Sequence, residues 1–138
     1  MLTSLYSISP LSVVIAFVAN VAVGFYWYSP AGFGHAWMKG SGLTQEKLEK
    51  NNPAIAMASA MVLNFLTTLS MAVVFALIDV QGMGQGIGVA VLLWAGFVAA
   101  TQAKFALFEG RPMQLIALYC GQSFVSFVLM GLVLGVWR

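Results

Sequence analysis

At 138 residues, with 61% hydrophobic and 7% charged side chains and a mean hydropathy of +0.93, the chain is far from a soluble domain, where about a quarter of residues are charged. The length suits a single transmembrane domain over residues 1–138 and leaves no room for a separate soluble catalytic domain. A net charge of +2 set beside apolar stretches, with no basic run, excludes a nucleic-acid partner, and the lone cysteine, Cys120, excludes an intrachain disulfide or a cysteine-based metal cluster.

The N-terminal stretch carries no Lys or Arg before its apolar run and no small-x-small cleavage site after it, so it reads as a retained span and not as a signal peptide. A helix needs about 20 apolar residues to cross a bilayer core. Four stretches meet that length: from about Pro10 to Tyr28, Ala54 to Ile78, Gly86 to Phe108, and Met113 to Trp137. The predicted fold class is therefore all-α and integral to the membrane, a four-transmembrane-helix bundle. Proline marks two of the helix starts, at Asn52-Pro53 and Arg111-Pro112, where its missing N–H costs nothing. Between the second and third spans, the alternate glycines from Gly82 to Gly88 predict a tight turn over 79–85 that leads into a close-packed helix end. A phosphate-binding loop would need another spacing and a lysine.

With four spans, the 29–53 loop and the 109–112 link share one side, and both termini share the other with the turn. Lys39, Lys47, Lys50 and Arg111 lie on the first side with Lys104 close by, against Arg138 alone on the second. The positive-inside rule then predicts cytoplasmic basic loops and non-cytoplasmic termini, with the chain integral to the membrane, which would be the inner or plasma membrane if the cell is bacterial. Tyr26, Trp27, Tyr28 and Trp37 mark the cytoplasmic interface, and Tyr6 and Trp137 the outer one.

Inside the membrane, Ala16, Asn20 and Gly24 share a face of the first span, as Ala56, Ala60 and Asn64 do on the second. Both asparagines fall near mid-membrane, where an unpaired amide is costly, so they are expected to face inward at one depth and to bond to each other or to a backbone carbonyl. Tyr119, Gln122, Ser123 and Ser126 form a polar stripe on the fourth span. Gly131 and Gly135 lie nearly opposite, which predicts an oligomer seam and hence a homo-oligomer. Gln102 and Lys104 occupy the last third of the third span; Lys104 is expected to snorkel to the interface, or to pair with Glu109 if the helix end bends.

After the first span, the aromatic, glycine-rich stretch from Gly24 to Trp37 lacks acidic residues and is expected to lie in the interface. Ser29-Pro30 reads as a helix cap opening a short flat helix, and Thr44 as the cap of a short polar helix. His35 is the only histidine, without the companions of a metal site, and no acid is placed to orient it toward Ser29. Trp27-Tyr28-Ser29-Pro30 followed by Phe33-Gly34 and Trp37, then Asn52-Pro53-Ala54, then Phe108-Glu109-Gly110-Arg111-Pro112, resembles the bacterial and fungal membrane family catalogued as domain of unknown function 1761. The resemblance covers almost the whole chain and implies a small multi-span membrane protein with no settled activity. Members of that family often carry lysine where this chain has His35, which argues further against an essential ligand there. Both distinctive motifs fall on the predicted cytoplasmic side, where the Trp27 to Trp37 aromatics are expected to pack over Glu109 and Arg111.

Two functional readings follow. The first is a small oligomeric transporter or channel-like protein for a small solute, its path lined by Asn20, Asn64, Gln102 and Gln122 with its mouth at Glu109 and Arg111. The second is a non-enzymatic binding or assembly protein holding a lipid, a hydrophobic ligand or a partner protein at the aromatic belt. An intramembrane enzyme ranks third, because there is no catalytic constellation; no catalytic residue, metal or cofactor is assigned, and the bilayer itself is the expected partner.

Overall fold

The computed structural model describes residues 2–137, and within them every regular element is helical. Arg138, which entered the charge argument, lies outside the described residues. A short turn of helix, α1 (Leu2–Leu5), precedes α2 (Pro10–Trp27); α3 (Gly34–Ser41) and α4 (Gln45–Lys50) follow in the long loop. Then come α5 (Pro53–Leu77), α6 (Gly82–Leu93), a π-helical segment Trp94–Ala99, α7 (Ala100–Phe108) and α8 (Met113–Val136). The segment from α6 to α7 is one continuous rod, so four helices, Pro10–Trp27, Pro53–Leu77, Gly82–Phe108 and Met113–Val136, are long and apolar enough to cross a membrane. The shortest, at 18 residues, spans roughly 27 Å at 1.5 Å per residue, close to the thickness of a hydrocarbon core. Large side chains are left bare on the rod and on α5, such as Phe97 at 74% and Val62 at 67% exposure, as suits helices that face lipid.

Local chemistry sets the helix limits. Ser9 caps α2 by accepting from the Ser12 amide, with Pro10 as the first helical residue. Thr44 Oγ1 accepts from the Lys47 amide at 3.2 Å to open α4, and Asn52 Oδ1 from the Ile55 amide at 3.4 Å to open α5. The end of α5 is a Schellman closure: Val80 N–H donates to Phe75 O at 3.0 Å and Asp79 N–H to Ala76 O at 3.4 Å. Asp79 takes the left-handed position with φ 54°, which a short polar side chain tolerates, and Val80, 0% exposed, seals the turn from below. The turn is thereby complete by Gln81, and the alternate glycines belong to α6 itself and not to a loop.

Helix α8 is the central element, in contact with α2, α3, α5, α6, the π segment and α7. Its tightest crossing is with α6. A Cβ on Gly131 would lie 2.7 Å from Gly86 O, and a Cβ on Gly135 would lie 2.8 Å from Gly82 O and 3.0 Å from Gly86 Cα. The two backbones therefore touch, with Ala90 seated beside Gly131. The expected oligomer seam is thus corrected. Gly131 and Gly135 are buried within the chain, because α8 is not a peripheral helix with a spare face but a central one packed on both sides, and the case for a homo-oligomer that rested on these glycines falls with it.

Packing is uneven along the bundle axis. The buried cluster Val13, Ala16, Met71, Ala72, Phe75, Val80, Ala90, Phe127, Met130 and Leu134 lies wholly toward the end that carries the 78–81 turn. Helix α5 buries Thr68, Met71, Ala72, Phe75 and Ala76, and nothing before Thr68. Its first half therefore leans away from α2 and α8, and the bundle opens like a wedge toward the end that carries α3 and α4.

The glycine crossing yields a prediction with opposite signs. Gly131→Val or Gly86→Val should lower stability to thermal unfolding in detergent by at least ~2 kcal/mol through overpacking. Gly88→Ala, where nothing lies within 4 Å of the added Cβ, should leave it unchanged or raise it by up to about 1 kcal/mol.

Candidate functional site

The wedge encloses a groove of about 520 Å³ between α2, α3, α5 and α8. Its walls are apolar: Val21 and Phe25 from α2, Met57, Ala60 and Met61 from α5, with Gly24 giving room on α2. Polar groups converge at two levels, Asn64 and Gln122 deep in the span and Tyr28, Ser29 and Trp37 at the wider end. A volume in this range suits one drug-sized ligand.

The floor is a hydrogen-bonded layer. Asn20, 4% exposed, donates from Nδ2 to Asn64 Oδ1 at 3.4 Å, a long bond of the kind that contributes about 0.6 kcal/mol between membrane helices. Gln122 Nε2 donates to Ser126 Oγ at 3.0 Å. One turn below, the Thr68 hydroxyl donates to Asn64 O at 2.9 Å and lies 3.3 Å from Met130 Sδ. Thr68 and Met130 are fully buried, and Met71 and Phe75 close the space beneath them. A void of only about 10 Å³, lined by Ile8, Ser12, Ala72, Phe75 and Leu134, lies further on, about one water in size.

Gln102 sits elsewhere. Trp94 Nε1 donates to Ser123 Oγ at 3.0 Å, and the single Ser123 hydroxyl proton has Gln102 Oε1 at 3.3 Å and the Tyr119 and Cys120 carbonyls at 3.1 Å as acceptors. This second polar cluster lies between α8 and the rod, at the π segment, where one residue per turn too many swings Trp94 onto α8. The Trp94 ring also meets Phe124 edge-on at 4.9 Å. Asn20, Asn64 and Gln122 therefore gather at the groove, Gln102 is held in the other cluster, and the four do not line one path through the chain.

Lys104 is exposed on α7 with Nζ 5.0 Å from the Phe105 ring centroid. It edges a shallow surface groove with Ala100, Ala103, Leu107 and Phe108. Its expected pairing with Glu109 does not form. Glu109 Oε2 is taken by Arg111 Nε at 2.9 Å, and both side chains are substantially exposed, at 58% and 42%. Nor do the aromatics cover that pair; they pack on α8. The Trp27 ring lies over Gly121 and 4.6 Å from the Phe33 ring, while Tyr28 contacts Trp37 at 5.1 Å and Tyr119 at 6.5 Å between centroids. Burial first, and then the Tyr119 phenol, push the Tyr28 pKa up to about 12, so this phenol stays a neutral donor through the physiological range. Trp27 Nε1 is the one buried side-chain polar atom among the described residues without a partner. His35 is exposed on α3, and no group of three metal-ligating side chains forms among the described residues.

Ser29 is not a helix cap as expected. Its hydroxyl donates back to Tyr26 O at 2.7 Å, and α3 begins four residues after Pro30. The chain folds over the end of α2: Phe33 N–H donates to Trp27 O at 2.7 Å, and the Gly32 and Gly34 amides to Ser29 O at 3.0 Å each. A Cβ on Gly34 would lie 2.6 Å from Tyr28 O, so only glycine fits this doubling-back. The Glu-Gly-Arg-Pro link is a second Schellman closure, with Arg111 N–H on Ala106 O at 2.9 Å and Gly110 N–H on Leu107 O at 3.1 Å. Gly110 holds φ 65°, and Pro112 then forbids continuation of the helix.

The family model described as Protein of unknown function (DUF1761) matches residues 11–135. The chain belongs to the DUF1761 family. No curated protein and no solved structure matches it. In this DUF1761 chain the Trp-Tyr-Ser-Pro and Glu-Gly-Arg-Pro segments are thus chain-reversal devices; the first also lends Tyr28, Ser29 and, just beyond it, Trp37 to the groove, whose remaining lining residues on α2, α5 and α8 belong to no motif. Gly24, Met57, Ala60 and Met61 were missed as lining residues because their sequence signal, small and flexible apolar side chains on a helix, is that of ordinary packing.

If the motifs act as turns, Gly34→Ala and Gly110→Ala should each lower thermal stability by about 1–3 kcal/mol. Glu109→Gln and Arg111→Gln, which break only an exposed ion pair, should each cost less than about 1 kcal/mol. The reverse ranking would show that the charges, not the turns, are what the link requires.

Proposed function

We propose that this protein is a membrane binding protein that takes an amphipathic ligand of lipid character sideways from the bilayer into the wedge between α2, α5 and α8. The observation that carries this reading is the asymmetry of packing. Helix α5 buries nothing before Thr68, while the opposite end of the bundle is filled by a continuous apolar core. An open apolar cleft with polar groups at two depths fits a molecule that has a polar head and a chain. The closed end argues for holding over conduction, so the binding reading takes precedence over a transport path.

Lipid should co-purify with the chain extracted in mild detergent and appear as a discrete adduct by native mass spectrometry. Met61→Trp, which fills the wedge from the α5 wall, should remove the adduct while leaving the protein monodisperse. A wild-type protein without adduct, or an adduct retained by Met61→Trp, would refute the groove as a binding site.

We also propose that the end carrying α3 and α4 faces the cytoplasm. The support is the charge distribution: Lys39, Lys47, Lys50, Lys104 and Arg111 fall toward that end, as the positive-inside rule requires. In a Cys120→Ser background, Ser41→Cys should react with an impermeant thiol reagent only from the cytoplasmic side and Ser4→Cys only from the outer side. Exchanged reactivities would invert the topology.

A further inference from the structure

The two carboxamides at the groove floor are each half engaged. Asn64 Oδ1 accepts from Asn20 and Gln122 Nε2 donates to Ser126. That leaves Asn64 Nδ2 as a donor and Gln122 Oε1 as an acceptor, without partners among the described residues, on two side chains that line the same groove. No Lys, Arg, His, Asp or Glu lines it, and the groups at its wider end, Tyr28 and Ser29, are neutral as well. A carboxylate or phosphate seated on this floor would face the Gln122 carbonyl with no cation to offset its desolvation. A cationic head would face the Asn64 amide protons. Tyr28 and Trp37 do not form an open cage for a quaternary ammonium either, because their rings lean on each other at 5.1 Å. What satisfies one donor and one acceptor together is a neutral head that carries both functions on neighbouring atoms. The groove, at about 520 Å³, has room for such a head and the upper part of a single chain, with the remainder lying along Met57, Val21 and Phe25 toward the lipid.

We infer that the ligand is a single-chain lipid with an uncharged hydroxylated or carboxamide head, held by Asn64 Nδ2 and Gln122 Oε1. This rests on the reading of the wedge as a binding groove. The test is a binding series in nanodiscs with the full chain and four probes of one chain length: 1-monopalmitoylglycerol, palmitamide, palmitate and hexadecyltrimethylammonium. The two neutral probes should bind at least about tenfold more tightly than the two charged ones, the ratio expected when one buried hydrogen-bonding group is left unpaired. The order of monopalmitoylglycerol and palmitamide tells a hydroxylated from a carboxamide head, and either order supports the inference. Asn64→Leu and Gln122→Met should reduce binding of the neutral probes about tenfold and leave palmitate where it was. If palmitate or the ammonium probe equals the neutral pair in the wild-type protein while Met61→Trp blocks all four, the head assignment is wrong and the groove reading stands. If Met61→Trp blocks none of them, the groove reading fails and the inference with it.

Discussion

Everything in this bundle hangs on the contact between the backbones of α6 and α8. Gly86 stands against Gly131 and Gly135 so closely that no side chain fits between them. In lipid, where burial of apolar surface gives helices no reason to prefer each other over acyl chains, such contact is the main source of cohesion. Dispersion between closely apposed backbones and the absence of side-chain entropy to lose make glycine the residue of choice there. Because α8 is fixed to the rod on this face, its opposite face is free to receive α2 and α5, and the polar stripe of Gln122 and Ser126 is turned toward the space those helices leave.

The same contact explains why one end of the molecule is tight and the other open. Glycine and alanine bring α6 and α8 together only near the end with the turn, and Ala16, Ala72 and Ala76, all nearly inaccessible, let α2 and α5 close in at that depth. Toward the other end small residues persist at Gly24, Ala56 and Ala60, but nothing on the first half of α5 is buried, and Met57, Met61, Phe25, Tyr28 and Trp37 line the open cleft with Gly24 and Ala60. The asparagine and glutamine side chains sit at the boundary between these regimes. There they serve the packed half through one of their polar atoms and leave the other facing the cleft.

Much of this was legible in the sequence because membrane helices are bounded by strong local signals. Prolines at Pro10, Pro53 and Pro112 and the capping residues Thr44 and Asn52 mark the breaks, and apolar length does the rest. The pairing of Asn20 with Asn64 was legible for a similar reason: the cost of an unpaired amide in hydrocarbon leaves few alternatives. What was not legible depends on which helix lies at the centre. Gly131 and Gly135 read equally well as a seam inside the chain or outside it, and only the neighbours of α8 decide. The π segment at Trp94–Ala99 has no signature of its own either, and its first residue, Trp94, meets Ser123 on another helix. The start of α6 at Gly82 ran against propensity. Glycine costs about 1 kcal/mol in a helix, but Gly82 holds φ 81°, a left-handed backbone that glycine adopts without strain.

The family motifs bear on function in an indirect way. Trp-Tyr-Ser-Pro and Glu-Gly-Arg-Pro draw the eye because they hold rare residues in fixed order, which invites a catalytic reading. In space each ends a helix and turns the chain, through Gly32 and Gly34 in one case and Gly110 in the other. The first turn does more than reverse the chain, because it lays Tyr28, Ser29 and Trp37 along the rim of the wedge and props α3 against Leu115 at the start of α8. A motif retained to build that rim would be demanding in backbone geometry and undemanding in chemistry. Asn64 and Gln122 belong to neither motif, and the turn leaves both lining the open cleft.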